Sequence, residues 1–189
     1  MRELVVSDRE YSKLIKRLEA INSTRNSLLT FSFTAVLTVL GIAIADDMDS
    51  ISAWLCLIPF LLIIPFTARI SYYRLASAHI NSFLKKFAKE DMAFEIGSGT
   101  VTENKCKHYK YISWLINHEM VLLGLASGCV FYFKYIRSVS NWRFWNFVSL
   151  VFPLLLIFAV FLLADSTYNY KKLIDSFSSS WDTYADDIV

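Results

Sequence analysis

Few residues in this 189-residue chain have the types and spacing that chemistry requires. His108 and His118 lie ten residues apart, near Cys106 and Glu119, and this spacing does not match that of a zinc site. We expect both histidines to be solvated or interfacial. The glycine-rich, nucleophile-elbow and HExxH motifs of common nucleotide-binding and hydrolytic enzymes are missing from the sequence. We therefore expect a protein that is not an enzyme, holds no metal and needs no cofactor.

One pair of residues keeps a catalytic alternative open. Arg74 and His79 form an Arg-x4-His pattern. The pattern resembles the catalytic motif of HEPN ribonucleases, in which an arginine and a histidine from two chains face one phosphate. The resemblance implies phosphate binding by Arg74 and general acid–base work by His79. Leu75 departs from that family, which usually has a polar residue after the arginine. We prefer a basic residue and a histidine just inside a membrane face.

A second set of residues could contact water or ions inside a membrane. Thr30, Thr34 and Thr38 recur at every fourth position, and Ser27 and Gly41 fall on the same helical face. Hydroxyl groups of this kind line pores, because they contact water without the cost of a charge. They also allow helices to pack closely. Helix packing is the preferred interpretation, and pore lining stays open as the functional one.

The composition indicates a membrane protein. Hydrophobic residues make up 55% of the chain and charged residues 19%, whereas soluble domains carry about 25% charge. Each of four apolar runs is long enough to cross a bilayer, provided that Lys134 extends from the third run to the headgroups. Since these runs lack Asp, Glu, His and Arg, we do not expect a proton-coupled transporter. The runs are Leu28–Ala45, Ile51–Ala68, Met120–Phe133 extended to Ile136, and Phe144–Ala164.

Glycine and proline positions bear on how these spans pack. Gly124 and Gly128 form a GxxxG motif, which permits close helix crossing within the chain or between copies. Pro59, Pro65 and Pro153 lie inside spans, where each removes a backbone donor and kinks the helix. Kinks of this kind can gate a channel, but we prefer a structural role because they are ordinary in membrane helices.

The distribution of basic residues predicts the orientation. Of the 19 Lys and Arg residues, 16 lie before the first span, between the second and third spans, or after the fourth. The positive-inside rule places these segments in the cytoplasm, so we expect an inner-membrane protein with both termini inside. The predicted organisation is a cytoplasmic helix at 1–27, a transmembrane hairpin at 28–68, a cytoplasmic helix, Gly/Ser loop and helix at 69–119, a second hairpin at 120–164 and a cytoplasmic helix at 165–189.

The cytoplasmic segments have apolar stripes with helical spacing, which predict packing against partner helices. We expect the membrane helices to continue inward without a break and to form a cytoplasmic helical bundle; the alternative is interfacial helices that lie flat on lipid. The whole chain is then all-α, with four transmembrane helices in two hairpins. The residues of the expected bundle or partner face are Leu14, Leu18, Ile80, Phe83, Phe87, Ile174, Phe177 and Trp181.

The hairpin layout and flanking helices, over Tyr11–Ala45 and Ile51–Phe87, resemble SLATT-type effectors. These are small bacterial membrane proteins of anti-phage and nucleotide-signalling systems. Four spans depart from the two-span pattern of that family. The resemblance implies an oligomer that perturbs the membrane when a partner or a signal acts on its cytoplasmic helices.

These observations predict a small homo-oligomeric inner-membrane protein that forms or gates a pore, in bacterial defence or a stress response. The alternative is a membrane anchor or sensor that recruits a soluble cytoplasmic partner. A membrane-tethered HEPN-like ribonuclease is the third hypothesis. With 19 basic and 17 acidic residues, the charge is too balanced for direct nucleic-acid binding to be expected.

Overall fold

The computed structural model describes residues 7–45, 50–87, 109–140, 143–167 and 169–188. These residues form seven α-helices and include no strand, which confirms the predicted all-α class. The predicted Gly/Ser loop and His108 lie outside the described residues. The helices are α1 Asp8–Ala45, α2 Ser50–Leu55, α3 Phe60–Phe87, α4 Tyr109–Asn117, α5 Glu119–Ser138, α6 Phe144–Asp165 and α7 Tyr170–Ile188.

Four helical segments are long and apolar enough to cross a membrane, as the sequence predicts: Arg9–Ala45, Ala53–Phe87, Glu119–Ser138 and Phe144–Asp165. Helix α6 shows an apolar surface that is compatible with a lipid environment. It leaves Phe147, Phe152, Leu155 and Phe158 exposed. A contiguous apolar surface of this kind is rare on soluble monomers, because contact with water is unfavourable.

Helix α1 is a single helix of 38 residues. It begins after Ser7, whose Oγ accepts a hydrogen bond from the backbone N–H of Glu10 at 3.3 Å and whose carbonyl accepts one from Tyr11 at 2.9 Å. The Ser-x-x-Glu order is typical of a helix start. No proline follows within the helix and the first glycine is Gly41, so the backbone ladder continues to Ala45.

The second apolar run is helical on both sides of a break at Cys56–Pro59. Here the backbone uses i→i+3 hydrogen bonds, from Cys56 to Ala53 at 3.0 Å through Leu61 to Ile58 at 2.9 Å. Pro59 explains the break, since it has no N–H and its ring disfavours the helical conformation in the preceding residue. The structural role that the sequence suggested for Pro59 is therefore to separate α2 from α3.

The expectation of an unbroken helix from the fourth span into the tail is wrong. Helix α6 ends at Asp165, and α7 begins anew at Tyr170. Asn169 is the reason: its side-chain oxygen accepts from the backbone N–H of Lys172 at 3.2 Å, and its carbonyl accepts from Leu173 at 3.1 Å. This is an N-cap, and it starts a helix independent of α6.

The chain divides into two compact units. One comprises 26–71 and 117–166 and contains most of the apolar core. Its core is formed by side chains from five helices, among them Val36 of α1, Cys56 next to α2, Ile63 of α3, Phe131 of α5 and Val160 of α6. The other unit comprises 1–25, 72–116 and 167–189.

In the second unit the C-terminal half of α3 packs along α7. Tyr170 Oη accepts from Asn81 Nδ2 at 2.6 Å and lies 3.1 Å from Ser77 Oγ. Further along both helices, Trp181 Nε1 donates to Ser82 Oγ at 3.2 Å. Residue numbers rise together in these contacts, so the two helices run in the same direction.

Candidate functional site

The threonine stripe of α1 lies on an exposed face of the helix. Ser27, Thr30, Thr34, Thr38 and Gly41 are all exposed to the surroundings of the chain. Each threonine hydroxyl donates to the carbonyl four residues earlier, at 3.1 Å for Thr30, 3.0 Å for Thr34 and 2.8 Å for Thr38. A hydroxyl that has donated its proton keeps lone pairs that accept from water or bind a cation.

The opposite face of α1 packs on the rest of its unit. Ser32, Val36, Leu40 and Ala43 are buried. At about 100° per residue they lie roughly opposite the hydroxyl stripe. Ser32 Oγ is 3.4 Å from the sulfur of Met120 on α5. The hydroxyl face is therefore directed away from the core of its own chain.

Large apolar side chains flank the stripe on both sides. Phe31 and Ile42 lie on one side of it and Leu37 and Ile44 on the other, and all four are exposed. Around α1, the order is thus a buried face, an apolar flank, a hydroxyl face and a second apolar flank.

The three glycines singled out by the sequence have different surroundings. A Cβ placed on Gly124 would lie 3.2 Å from Cε1 of Phe60, and one on Gly128 would lie 2.9 Å from Cδ1 of Ile157. The GxxxG face of α5 therefore contacts α3 and α6 of the same chain. A Cβ on Gly41 would meet nothing within 4 Å, as its place in the exposed stripe requires.

Ser127, between the two glycines, is a residue that the sequence did not single out. Its hydroxyl donates to the carbonyl of Cys56. In the i→i+3 ladder of that segment the donor to Cys56 would be residue 59, which is a proline without an N–H. Ser127 thus supplies the donor that Pro59 lacks, and the small GxxxG face brings it close enough.

The position of Lys134 differs from the expectation that its side chain extends to the headgroups. Its side chain is only 4% exposed, and its ammonium donates to the carbonyl of Ala43 near the end of α1. Snorkelling applies where no partner is at hand. Here the end of α1 offers a carbonyl acceptor within reach, which the sequence of α5 alone does not show.

His118 also differs from the expected solvated or interfacial position. It lies in the turn between α4 and α5, is 0% exposed, and stacks on Phe161 with ring centroids 5.7 Å apart. Its Nε2 is 3.9 Å from Oδ1 of Asp165 at the end of α6. Packing against an aromatic ring of α6 explains the burial. Among the described residues, no group of three or more His, Cys, Asp or Glu could hold a metal ion.

The residues of the ribonuclease hypothesis have different surroundings. Arg74 is buried, whereas His79 is exposed and stacks on Trp181 at 5.1 Å. Phe177 also contacts the His79 ring, at 5.2 Å. Five residues of helix separate Arg74 and His79 by about 140° around the axis. The described contacts of His79 are those of an aromatic packing residue.

The predicted bundle face is present on α3 and α7. Phe83 lies 5.1 Å and Phe87 6.4 Å from the Trp181 ring, and the two phenylalanines are 4.9 Å apart. Ile80 is buried. The remaining members of the predicted set, Leu14, Leu18 and Ile174, are half-buried.

Comparison of the chain with protein-family models, with curated proteins and with solved structures finds no match. The site is therefore interpreted from its own geometry.

Proposed function

We propose that the chain is an integral membrane protein whose copies assemble around an axis and form a pore lined by the hydroxyl face of α1. The observation that carries this proposal is the arrangement around α1. Three threonines, spaced four residues apart on an apolar helix, are exposed roughly opposite the face that packs on the chain. Four helices enclose no wide channel by themselves, so a pore requires several copies in closed symmetry.

The hydroxyl ladder suits an aqueous lining. Each threonine satisfies its proton within the helix, so the face tolerates a closed, dry state at low cost. In an open state the oxygens accept hydrogen bonds from water or bind a permeating cation. The exposed flanks at Phe31 and Leu37 supply apolar area for contact between copies.

The proposal includes an orientation. With 16 of 19 basic residues before the first span, between the second and third spans or after the fourth, both termini and the central segment lie on the cytoplasmic side of a bacterial inner membrane. The resemblance to SLATT-type effectors extends the proposal to a role in anti-phage defence or a stress response, with a signal or partner acting on the cytoplasmic helices.

The test is ion conductance of the purified full-length chain in planar bilayers. Thr34→Val keeps the shape of the side chain and removes its hydroxyl, so we expect single-channel conductance to fall by about two- to fivefold, or ion selectivity to change. The control is Ser149→Ala on α6, which also removes a hydroxyl that bonds back to its own helix, at 3.0 Å to Trp145. This control should conduct like the wild type.

Two results would count against the proposal in different ways. Equal conductance of wild type and Thr34→Val would remove the lining role of α1. A wild-type chain that inserts correctly and never conducts would reject the pore itself and favour the membrane anchor. In that case, truncation after residue 164 should abolish recovery of a soluble partner.

A further inference from the structure

Lys134 brings a positive charge into the apolar core of its unit. It lies four residues before the end of α5, a helix that is long and apolar enough to span a membrane. A lysine at such a place is expensive and is tolerated only where it has a partner. One partner seen in the structure is the carbonyl of Ala43, on a different helix.

The end of α1 is a natural acceptor for this charge. Ala43 lies in the last turn of α1 as described, Asp8–Ala45, and the carbonyls at the C-terminal end of a helix are those that accept from groups outside it. The aligned peptide dipoles add roughly half a negative charge at that end. The ammonium of Lys134 therefore supplies both a donor and an opposite charge, as a C-terminal cap provided by a neighbouring helix.

We infer that Lys134 positions the C-terminal end of α1 and sets the charge that ions meet there. The selectivity role rests on the proposed function, since α1 is the proposed pore helix. The positioning role does not depend on it. Together the two roles make Lys134 a positioning and selectivity-determining residue, although its side chain is buried and does not itself line the hydroxyl face.

The direction in which loss of Lys134 changes ion selectivity follows from the charges near the end of α1. Without Lys134, the helix end contributes roughly half a negative charge per copy. The segment after α1 adds Asp46, Asp47 and Asp49 in the sequence. One lysine per copy offsets part of this negative potential, and the offset repeats around the ring. Removal of the charge therefore raises the preference for cations over anions.

The electrical test is the reversal potential of the full-length chain in planar bilayers under a KCl gradient. Lys134→Met removes the charge and keeps an unbranched side chain one atom shorter, so the permeability ratio of K⁺ to Cl⁻ should rise by about two- to fivefold. Lys134→Arg retains the charge and the donor, and should leave the ratio within experimental error of the wild type.

Positioning is measured separately, by spin-label distances in liposomes with the labelled chain diluted in unlabelled protein. One label pair joins Ile44→Cys to the native Cys129, in a Cys56→Ala, Cys106→Ser background, to which the control pair below adds Cys129→Ala. Its distance distribution should be narrow in the wild type and in Lys134→Arg, and broader in Lys134→Met. A control pair at Phe31→Cys and Leu122→Cys reports the other end of the span, where Ser32 contacts Met120. The control distribution should not change.

A compensating variant separates the effect of a positive charge at the end of α1 from the effect of the link between α1 and α5. Lys134→Met combined with Ala45→Lys restores a cation at the end of α1 and does not restore the link to α5. It should recover the wild-type permeability ratio and keep the broad distance distribution. If Lys134→Met fails to fold, Lys134→Gln serves in its place, because the amide is neutral and still donates; it should shift the ratio and keep the narrow distribution.

The outcomes test the positioning role and the selectivity role separately. A narrow distribution in Lys134→Met overturns the positioning role, and an unchanged permeability ratio in both neutral variants overturns the selectivity role. A wild-type chain without conductance rejects the proposed pore, while the distance measurement still decides whether Lys134 holds α1.

Discussion

At the scale of single residues, Pro59 and Ser127 form one structural device on two helices. Pro59 leaves the carbonyl of Cys56 without its local N–H donor, and the hydroxyl of Ser127 supplies one. Ser127→Ala should therefore lower the free energy of unfolding by about 1 kcal/mol, because an apolar surrounding offers the carbonyl no water. Unfolding by SDS titration measures this. Ser138→Ala removes only a bond within its own helix, at 3.0 Å to Tyr135, and should cost less.

A double-mutant cycle tests the assignment. Pro59→Ala restores an N–H at the position where Ser127 compensates for its absence, so Ser127→Ala should cost clearly less in that background. Equal costs in both backgrounds would mean that Ser127 stabilises the chain by packing alone. The cycle thus separates the hydrogen bond from the volume of the side chain.

At the scale of elements, the contact between α3 and α7 depends on its aromatic residues. Trp181 contacts His79, Phe83 and Phe87 and donates to Ser82. Trp181→Ala should cost about 3 kcal/mol and release α7, so its amide protons should exchange faster by a factor of about one hundred or more. Hydrogen exchange with mass spectrometry measures this on the full-length chain.

The matched control is the ion pair on the same two helices. Lys85 Nζ lies 3.4 Å from Asp175 Oδ1, with side chains 46% and 55% exposed. Exposed pairs of this kind contribute about 0–1 kcal/mol, so Asp175→Asn should leave the exchange of α7 nearly unchanged. Faster exchange in Asp175→Asn than in Trp181→Ala would show that charge, and not aromatic packing, holds α7.

The elements also show what the sequence could and could not predict. Length, hydropathy and helical spacing were enough for the four apolar helices and for the stripe that includes Phe83 and Trp181, because these signals are local. The burial of Lys134 and His118 was missed, since each depends on a group of another helix: the end of α1 and the ring of Phe161. The new start of α7 has a local signal in the sequence, the Asn169 cap.

At the scale of the whole molecule, the number of apolar helices and the distribution of charge together predict the topology. Four apolar helices put both termini on the same side if each crosses the bilayer. The positive-inside rule then predicts that this side is the cytoplasmic one, because 16 of 19 basic residues fall in the segments that would share it. The acidic segment at 46–50 contains no basic residue, so it should face the periplasm.

Reporter fusions in a bacterial host test this topology. Green fluorescent protein attached to a membrane protein fluoresces only on the cytoplasmic side, so fusions at either terminus should fluoresce. Alkaline phosphatase fused at the same positions should be inactive. Alkaline phosphatase fused after Asp47 should be active. A fluorescent N-terminal fusion together with an active phosphatase at the C-terminus would mean an odd number of crossings. Helix α5 would then be the first candidate to remain outside the bilayer, since it has the lowest hydropathy of the four and buries Lys134.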